Sequence, residues 1–199
     1  WYKIMKDVPN SGTYVMMLSG GLDSALLSYL VLKELPNTKL VLSSVCHQSL
    51  NYYNLFNVIA ITNWLHARFP NRIEEHYIGY YKDRNEARNN RTKTRDRLID
   101  KHKASGILTG MTLNPSELMT EGRDESRDKK REIRVISSHG VYHYRPFINS
   151  TKQTVAELYN EHNLQDLANL TISCESESLP RPCKECWWCK EKYWAFGYY

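Results

Sequence analysis

The sequence predicts an α/β fold: a parallel sheet covered by helices on both faces, followed by a small C-terminal metal-binding segment. Three observations predict it. Short apolar runs of strand length alternate with longer stretches of helical periodicity, as in parallel sheets with crossover helices. A paired-glycine turn joins the first such run to the first helix, and four cysteines crowd together near the other end. The expected division is residues 1–170 for the main domain and 171–199 for the cysteine segment.

The elements follow in order. Tyr14-Val15-Met16-Met17-Leu18 is short and apolar and is followed at once by Gly20-Gly21, as expected of a buried strand. Leu22, Ala25, Leu26, Tyr29 and Leu30 then repeat at helical spacing as far as Leu35-Pro36, where the proline ends an amphipathic helix. Lys39-Leu40-Val41-Leu42-Ser43-Ser44-Val45 reads as a second strand. A long helix follows with Leu55, Val58, Ile59, Thr62, Leu65 and Phe69 on one face, ending at Pro70. Residues 73–80 read as a third strand, 84–103 as a charged helix, and Gly106-Ile107-Leu108-Thr109-Gly110-Met111 as a short fourth strand. Residues 133–136 and 141–144 are strand-like around a turn at His139-Gly140. Ser150 and Gln153 have the spacing of a capping box for a helix that includes Val155, Leu158 and Tyr159.

The chemistry concentrates first in Ser19-Gly20-Gly21-Leu22-Asp23-Ser24. Glycines let backbone N–H groups approach an anion, and the helix that opens there adds unpaired donors and the positive end of its dipole. Ser19 and Ser24 offer hydroxyls to phosphate oxygens, while Asp23 either caps the helix or holds Mg²⁺. A Walker-type loop is excluded, because no lysine follows the glycines before Lys33. In such a sheet, ligands sit beyond the C-terminal strand edges, where Ser19 and Gly110 both fall.

The second concentration is Cys174, Cys183, Cys186 and Cys189, spaced C-x8-C-x2-C-x2-C. Four thiolates suit a tetrahedral Zn²⁺ with no open position, and so a structural metal. Disulfides are disfavoured by the fifth cysteine and the absence of a secretory signal, and a thioredoxin-like pair by the overlapping spacing. Lys184, Lys190 and Lys192 stand close enough in sequence to offset thiolate charge.

Ser-Gly-Gly-x-Asp-Ser resembles the PP-loop of the N-type ATP pyrophosphatases. Together with the cysteine cluster, it makes the chain similar to the 7-cyano-7-deazaguanine synthase family, whose sheet is of the adenine nucleotide α-hydrolase-like kind. The likeness extends to Tyr144-Arg145-Pro146-Phe147-Ile148, Ser150-Thr151-Lys152, Leu170-Thr171-Ile172-Ser173-Cys174 and Trp194-Ala195-Phe196. The resemblance implies that residues 19–24 bind ATP, that Ser19, Asp23, Ser24 and Lys152 serve catalysis, and that Mg²⁺ and Zn²⁺ are present. It further implies a deazapurine carboxylate activated by adenylylation, attacked by ammonia and finally dehydrated to a nitrile. Two stretches depart from the family pattern. Ser44-Val45-Cys46-His47-Gln48 stands in place of Asp-Tyr-Gly-Gln-x-His, and Thr112-Leu113-Asn114-Pro115-Ser116-Glu117 in place of a segment on the deazapurine side. The alternatives are a PP-loop amide ligase with another acceptor, a tRNA-modifying PP-loop enzyme, or a zinc module that binds nucleic acid without catalysis. Against tRNA thiolation, only Cys46 remains outside the cluster as a candidate reactive thiol.

Composition fits one domain of an enzyme. The chain has 199 residues, 41% of them hydrophobic and 25% charged, with a formal charge of +5. No apolar run is long enough to span a membrane, and residues 1–11 lack the apolar core of a signal peptide, so a cytoplasmic location is expected. Residues 82–103 hold nine Lys or Arg against four acids. That stretch is a flap over phosphates contacted by Arg84, Arg88 or Arg91, a nucleic-acid patch, or a solvated face. No aromatic residue interleaves it, which counts against nucleic acid as a partner. Residues 121–134 mix both signs and are expected to form a mobile loop over the site or solvated surface. Cys46 reads as a buried thiol, and His139 and His143 as satisfied polar residues. Trp187 and Trp188 would shield the metal loop or pack in an interface. The aromatic tail 193–199 is compatible with a homodimer.

Overall fold

Strand β1 (Gly12–Met17) lies at the centre of one six-stranded sheet, and the apolar run that makes it central is Tyr14-Val15-Met16. The computed structural model describes residues 5–47, 52–176 and 182–199. The other strands are β2 (Thr38–His47), β3 (Ile73–Tyr81), β4 (Gly106–Thr109), β5 (Arg134–Ile136) and β6 (Tyr142–Tyr144), in the spatial order β3-β2-β1-β4-β6-β5. Five strands are parallel, and Val15 sits between Val41 on β2 and Ile107 on β4. Only β5 runs antiparallel, forming a hairpin with β6. The order reverses direction between β1 and β4, so a crevice opens beyond their C-terminal ends.

Among the described residues, six helices of five residues or more accompany the sheet: α1 (Leu22–Glu34), α2 (Tyr52–Arg68), α3 (Arg84–His102), α4 (Lys152–Glu161), α5 (Gln165–Asn169) and α6 (Trp187–Phe196). Because side chains alternate along a strand, the sheet has two apolar faces. Tyr14, Met16, Leu40, Leu42 and Leu108 pack with residues of α1, α2, α4 and α5. Val15, Val41 and Ile107 pack on the opposite side with Leu98 and Ile99 of α3. Among the described residues, no helix is long and apolar enough to cross a membrane.

Several local expectations change. Helix α1 is not amphipathic: every residue from 24 to 32 is buried, because sheet, α2, α4 and α5 surround it. Its polar positions adapt, with Ser28 Oγ donating to the Ser24 carbonyl at 2.8 Å. On α2, Ile59 faces solvent while Ile61 enters the core beside Val58 and Leu65. Strand β4 stops at Thr109, two residues short of the expected end. The capping box at Ser150 does not form. The N-cap of α4 is Thr151, with no side-chain hydrogen bond at the cap.

Candidate active site

The turn after β1 meets the switch point between β1 and β4. Gly20 has φ +84°, a left-handed conformation that a Cβ would strain, and that Cβ would also stand 3.3 Å from Val58 Cγ1. Gly21 is the N-cap of α1 and makes no side-chain cap bond, so Asp23 does not cap the helix. The two serines hold the turn from inside. Ser19 N–H donates to Ser24 Oγ at 3.2 Å, Gly21 N–H to Ser19 Oγ at 3.3 Å, and the two hydroxyls lie 3.1 Å apart. Among the described residues, no backbone carbonyl accepts from the N–H groups of Gly20, Leu22, Asp23 or Ser24. These are the first-turn donors that an anion satisfies. Gly110 completes the crevice: a Cβ there would fall 2.6 Å from the Asp23 carbonyl.

Asp23 turns instead toward α4. Nζ of Lys152 stands 2.7 and 2.6 Å from its two carboxylate oxygens, and Thr112 Oγ1 is 3.4 Å from Oδ2. Lys152 is buried. Its second counter-charge is Glu191 on α6, 3.8 Å away and 1% exposed. Glu191 in turn accepts from Arg127, which is 5% exposed and also donates to the Thr112 carbonyl at 2.8 Å and hydroxyl at 2.7 Å. Two cations and two anions therefore alternate from the loop to the C-terminal helix. Burial pushes the Glu191 carboxyl upward, opposed by Lys152 and Arg127. The arrangement corrects the expectation for residues 121–134: Arg127 there is core, and Trp187 and Trp188 flank its guanidinium with ring centroids at 5.0 and 5.2 Å.

Arg127, Thr112 and Glu191 were not readable from the sequence as site residues. The one available signal was Lys190-Glu191-Lys192, three consecutive charges inside the aromatic-rich helix Trp187–Phe196. The other charged stretch behaves as a solvated face. Arg88 and Arg91 are exposed on α3, the side chain of Arg84 lies outside what is described, and so does Gln48 beyond β2. Cys46 is buried, and burial pushes its thiol up to about 11. His139 bonds Asp100 at 2.8 Å and His143 bonds Thr109 at 2.7 Å.

The Sγ atoms of Cys174, Cys183, Cys186 and Cys189 all lie within 4.8 Å of one another, so the four can hold a metal. Cys183 N–H points at Cys174 Sγ at 3.4 Å, and Cys186 N–H at Cys183 Sγ at 3.3 Å. Burial raises the Cys183 thiol, but the N–H groups of Cys186 and Glu185 and the neighbouring thiols outweigh it, leaving it at about 6. Burial drives Cys189 in the other direction. Four thiols this close ionise together only if a cation sits among them.

A cavity of about 290 Å³ borders this cluster. Asn57, Ser173, Cys174, Cys189, Lys192 and Tyr198 are among its lining residues. Its wall is continuous with the turn, since Ile172 N–H donates to the Gly20 carbonyl at 3.0 Å. Asn57 Cβ would lie 3.5 Å from a Cβ on Gly20.

The fold is of the adenine nucleotide α-hydrolase-like kind. Among solved structures, the chain is similar to the U34-tRNA thiolase NcsA from Methanococcus maripaludis with its [4Fe-4S] cluster. The TM-score is 0.57 at 18% identity, over 95% of this chain and 68% of that one. It is also similar to a 4-thiouridine synthetase in an RNA complex with bound ATP, with TM-score 0.55 at 16% identity over 84% of this chain. It spans only 44% of that second protein. No protein-family model and no curated protein matches the chain.

Proposed function

We propose that the chain is an ATP-dependent enzyme that cleaves ATP between its α and β phosphates to activate an acceptor bound beside the loop. The finer reading is activation of a carboxylate for attack by ammonia, with 7-carboxy-7-deazaguanine converted to its nitrile. The observation behind it is the glycine turn, four of whose N–H groups have no backbone acceptor among the described residues, with Lys152 bonded to Asp23 beside them.

In this reading, the amides of Gly20, Leu22, Asp23 and Ser24 receive the β and γ phosphates, and the hydroxyls of Ser19 and Ser24 exchange their mutual bond for phosphate oxygens. The Asp23 oxygens keep lone pairs that suit Mg²⁺. Lys152 meets the charge that develops as pyrophosphate leaves. The acceptor carboxylate attacks the α-phosphorus and expels pyrophosphate, and ammonia then displaces AMP to leave the amide. A second ATP adenylylates the amide oxygen, again expelling pyrophosphate, and loss of AMP with the amide protons leaves the nitrile. The fold neighbours support the ATP-using class, one of them bearing bound ATP.

The cysteine site fits Zn²⁺. A Zn–S length of about 2.3 Å puts tetrahedral sulfurs about 3.8 Å apart, and Cys183 and Cys189 stand at 4.0 Å. A multi-iron cluster seats each thiolate on a different iron and spreads them farther. Zinc there would fix the entry to α6, and with it Glu191.

A second reading, sulfur insertion into tRNA, is favoured by one observation: Cys174 and Cys189 border the cavity beside the loop. Two measurements separate the readings. The first is incubation with ATP, ammonia and 7-carboxy-7-deazaguanine, which is expected to release pyrophosphate and AMP and to yield the nitrile by mass spectrometry. Orthophosphate as the sole phosphate product would end the activation reading. The second is elemental analysis of the purified chain, where zinc is expected and iron with acid-labile sulfide would favour thiolation.

A further inference from the structure

Lys192 is 8% exposed, yet among the described residues no carboxylate lies within ion-pair distance of it. Its ammonium rests 5.0 Å from the ring centroid of Tyr198. The neighbouring cations differ. Lys152 has Asp23 and Glu191, and Arg127 has Glu191. Lys192 lies one residue beyond Glu191 on the same helix, so the two side chains project about 100° apart. Glu191 joins the ionic chain, while Lys192 lines the cavity beside the cysteines.

A buried ammonium whose anionic neighbours are the cysteine thiols alone, with no carboxylate bonded to it, keeps a desolvation cost that an anion entering the cavity reduces. The rest of the lining suits a small, flat, polar ligand. Asn57, Asn169, Thr171 and Ser173 supply hydrogen-bonding groups, and Tyr198 supplies an aromatic face. An acceptor lying here would be against Ile172, whose N–H donates to the Gly20 carbonyl, so one residue separates it from the glycine turn.

We propose that this cavity seats the acceptor and that Lys192 is the residue that selects an anionic one, holding its carboxylate toward the glycine turn. The proposal rests on the ATP-activation reading for its catalytic meaning, but the binding it describes is independent of turnover. The acceptor class is a planar nitrogen heterocycle with one carboxylate. A competing role for Lys192 is to neutralise the thiolates of the cysteine site, since Cys189 lines the same cavity.

Calorimetric binding of two probes to the full chain, with metal content measured alongside, decides between these roles. The probes are 7-carboxy-7-deazaguanine and its uncharged parent 7-deazaguanine. Lys192→Gln is expected to weaken the carboxylated probe by about tenfold to a hundredfold, the worth of a hydrogen bond to a charged group. It should leave the neutral probe and the bound metal unchanged, while Lys192→Arg restores much of the loss. Asn169→Trp, at the exposed rim, is expected to block both probes and keeps the test alive if Lys192→Gln folds poorly. Equal weakening of both probes, loss of metal in Lys192→Gln, or no binding of the carboxylated probe to the unaltered chain would each overturn the proposal. Lys192-dependent binding without pyrophosphate release would leave the cavity assignment standing and remove the activation reading instead.

Discussion

Two stretches of this chain look alike as sequence and end in opposite places. Residues 84–103 and 121–134 are both dense in charge, with Lys and Arg interleaved with acids. The first becomes α3, whose apolar residues Ala87, Leu98 and Ile99 pack against the sheet while Arg88, Arg91 and Arg97 face water. The second has no long helix, and it sends Arg127 into the interior to meet Glu191. Periodicity explains the difference. A helix with an apolar stripe can leave its charges outside, whereas an irregular segment satisfies its backbone through whatever it touches, here Asn114 N–H to the Arg127 carbonyl at 2.9 Å. Charge density alone therefore says little about burial.

The comparison breaks most readily at Arg127. Arg127→Ala leaves Glu191 buried without its closest partner and is expected to cost about 3–5 kcal/mol in denaturant unfolding. Arg127→Met combined with Glu191→Leu should recover most of that loss, because apolar replacement of a buried pair is often neutral. Lys152→Ala comes next. Pyrophosphate release is expected to fall by about a hundredfold or more, as when one preorganised transition-state donor is removed. A loss no larger than that of an exposed lysine would show that Lys152 only braces Asp23.

Acid titration sharpens the contrast through sign. Hydrogen bonds from Lys101 and His102 at the end of α3 hold Glu75 below the usual carboxylate range. Its contribution is therefore present above the unfolded value and lost as pH falls through the lower folded one. Burial raises Glu191, so the folded form holds its proton more tightly, and this group disfavours the fold as pH rises from the unfolded value through the raised one. Unfolding curves of Glu75→Gln and Glu191→Gln between pH 3 and about 7 should depart from the parent chain in opposite directions. His76 adds a third slope: burial lowers it to about 4, so its share of stability is lost as pH drops from 6.5 through that value. The smallest effect is expected on α3 itself, where Arg88→Ala and Arg91→Ala should each shift stability by less than about 0.5 kcal/mol.

What was legible in the sequence was what is local. The glycine turn, the strand runs and the cysteine spacing each rest on consecutive or nearly consecutive residues; each strand run falls on a strand, with ends shifted by up to two residues, and the four cysteines converge. Lys152 was singled out by resemblance, but its burial was not evident, because Asp23 and Glu191 are remote from it in sequence. The Asp23–Lys152–Glu191–Arg127 chain joins four separate segments and leaves no spacing to read. The all-round burial of α1 was likewise hidden, since helical periodicity in a leucine-rich run does not say how many neighbours will surround it.

Gly110 sets a clearance of less than one methyl group between the end of β4 and the start of α1. An added carbon at that position acts as a wedge, and the movable part is the helical turn bearing Asp23 and Ser24. Gly110→Ala would thus shift the floor of the crevice without touching any side chain that contacts a ligand. The innermost tolerance of the molecule is set by a residue that contributes no functional group at all.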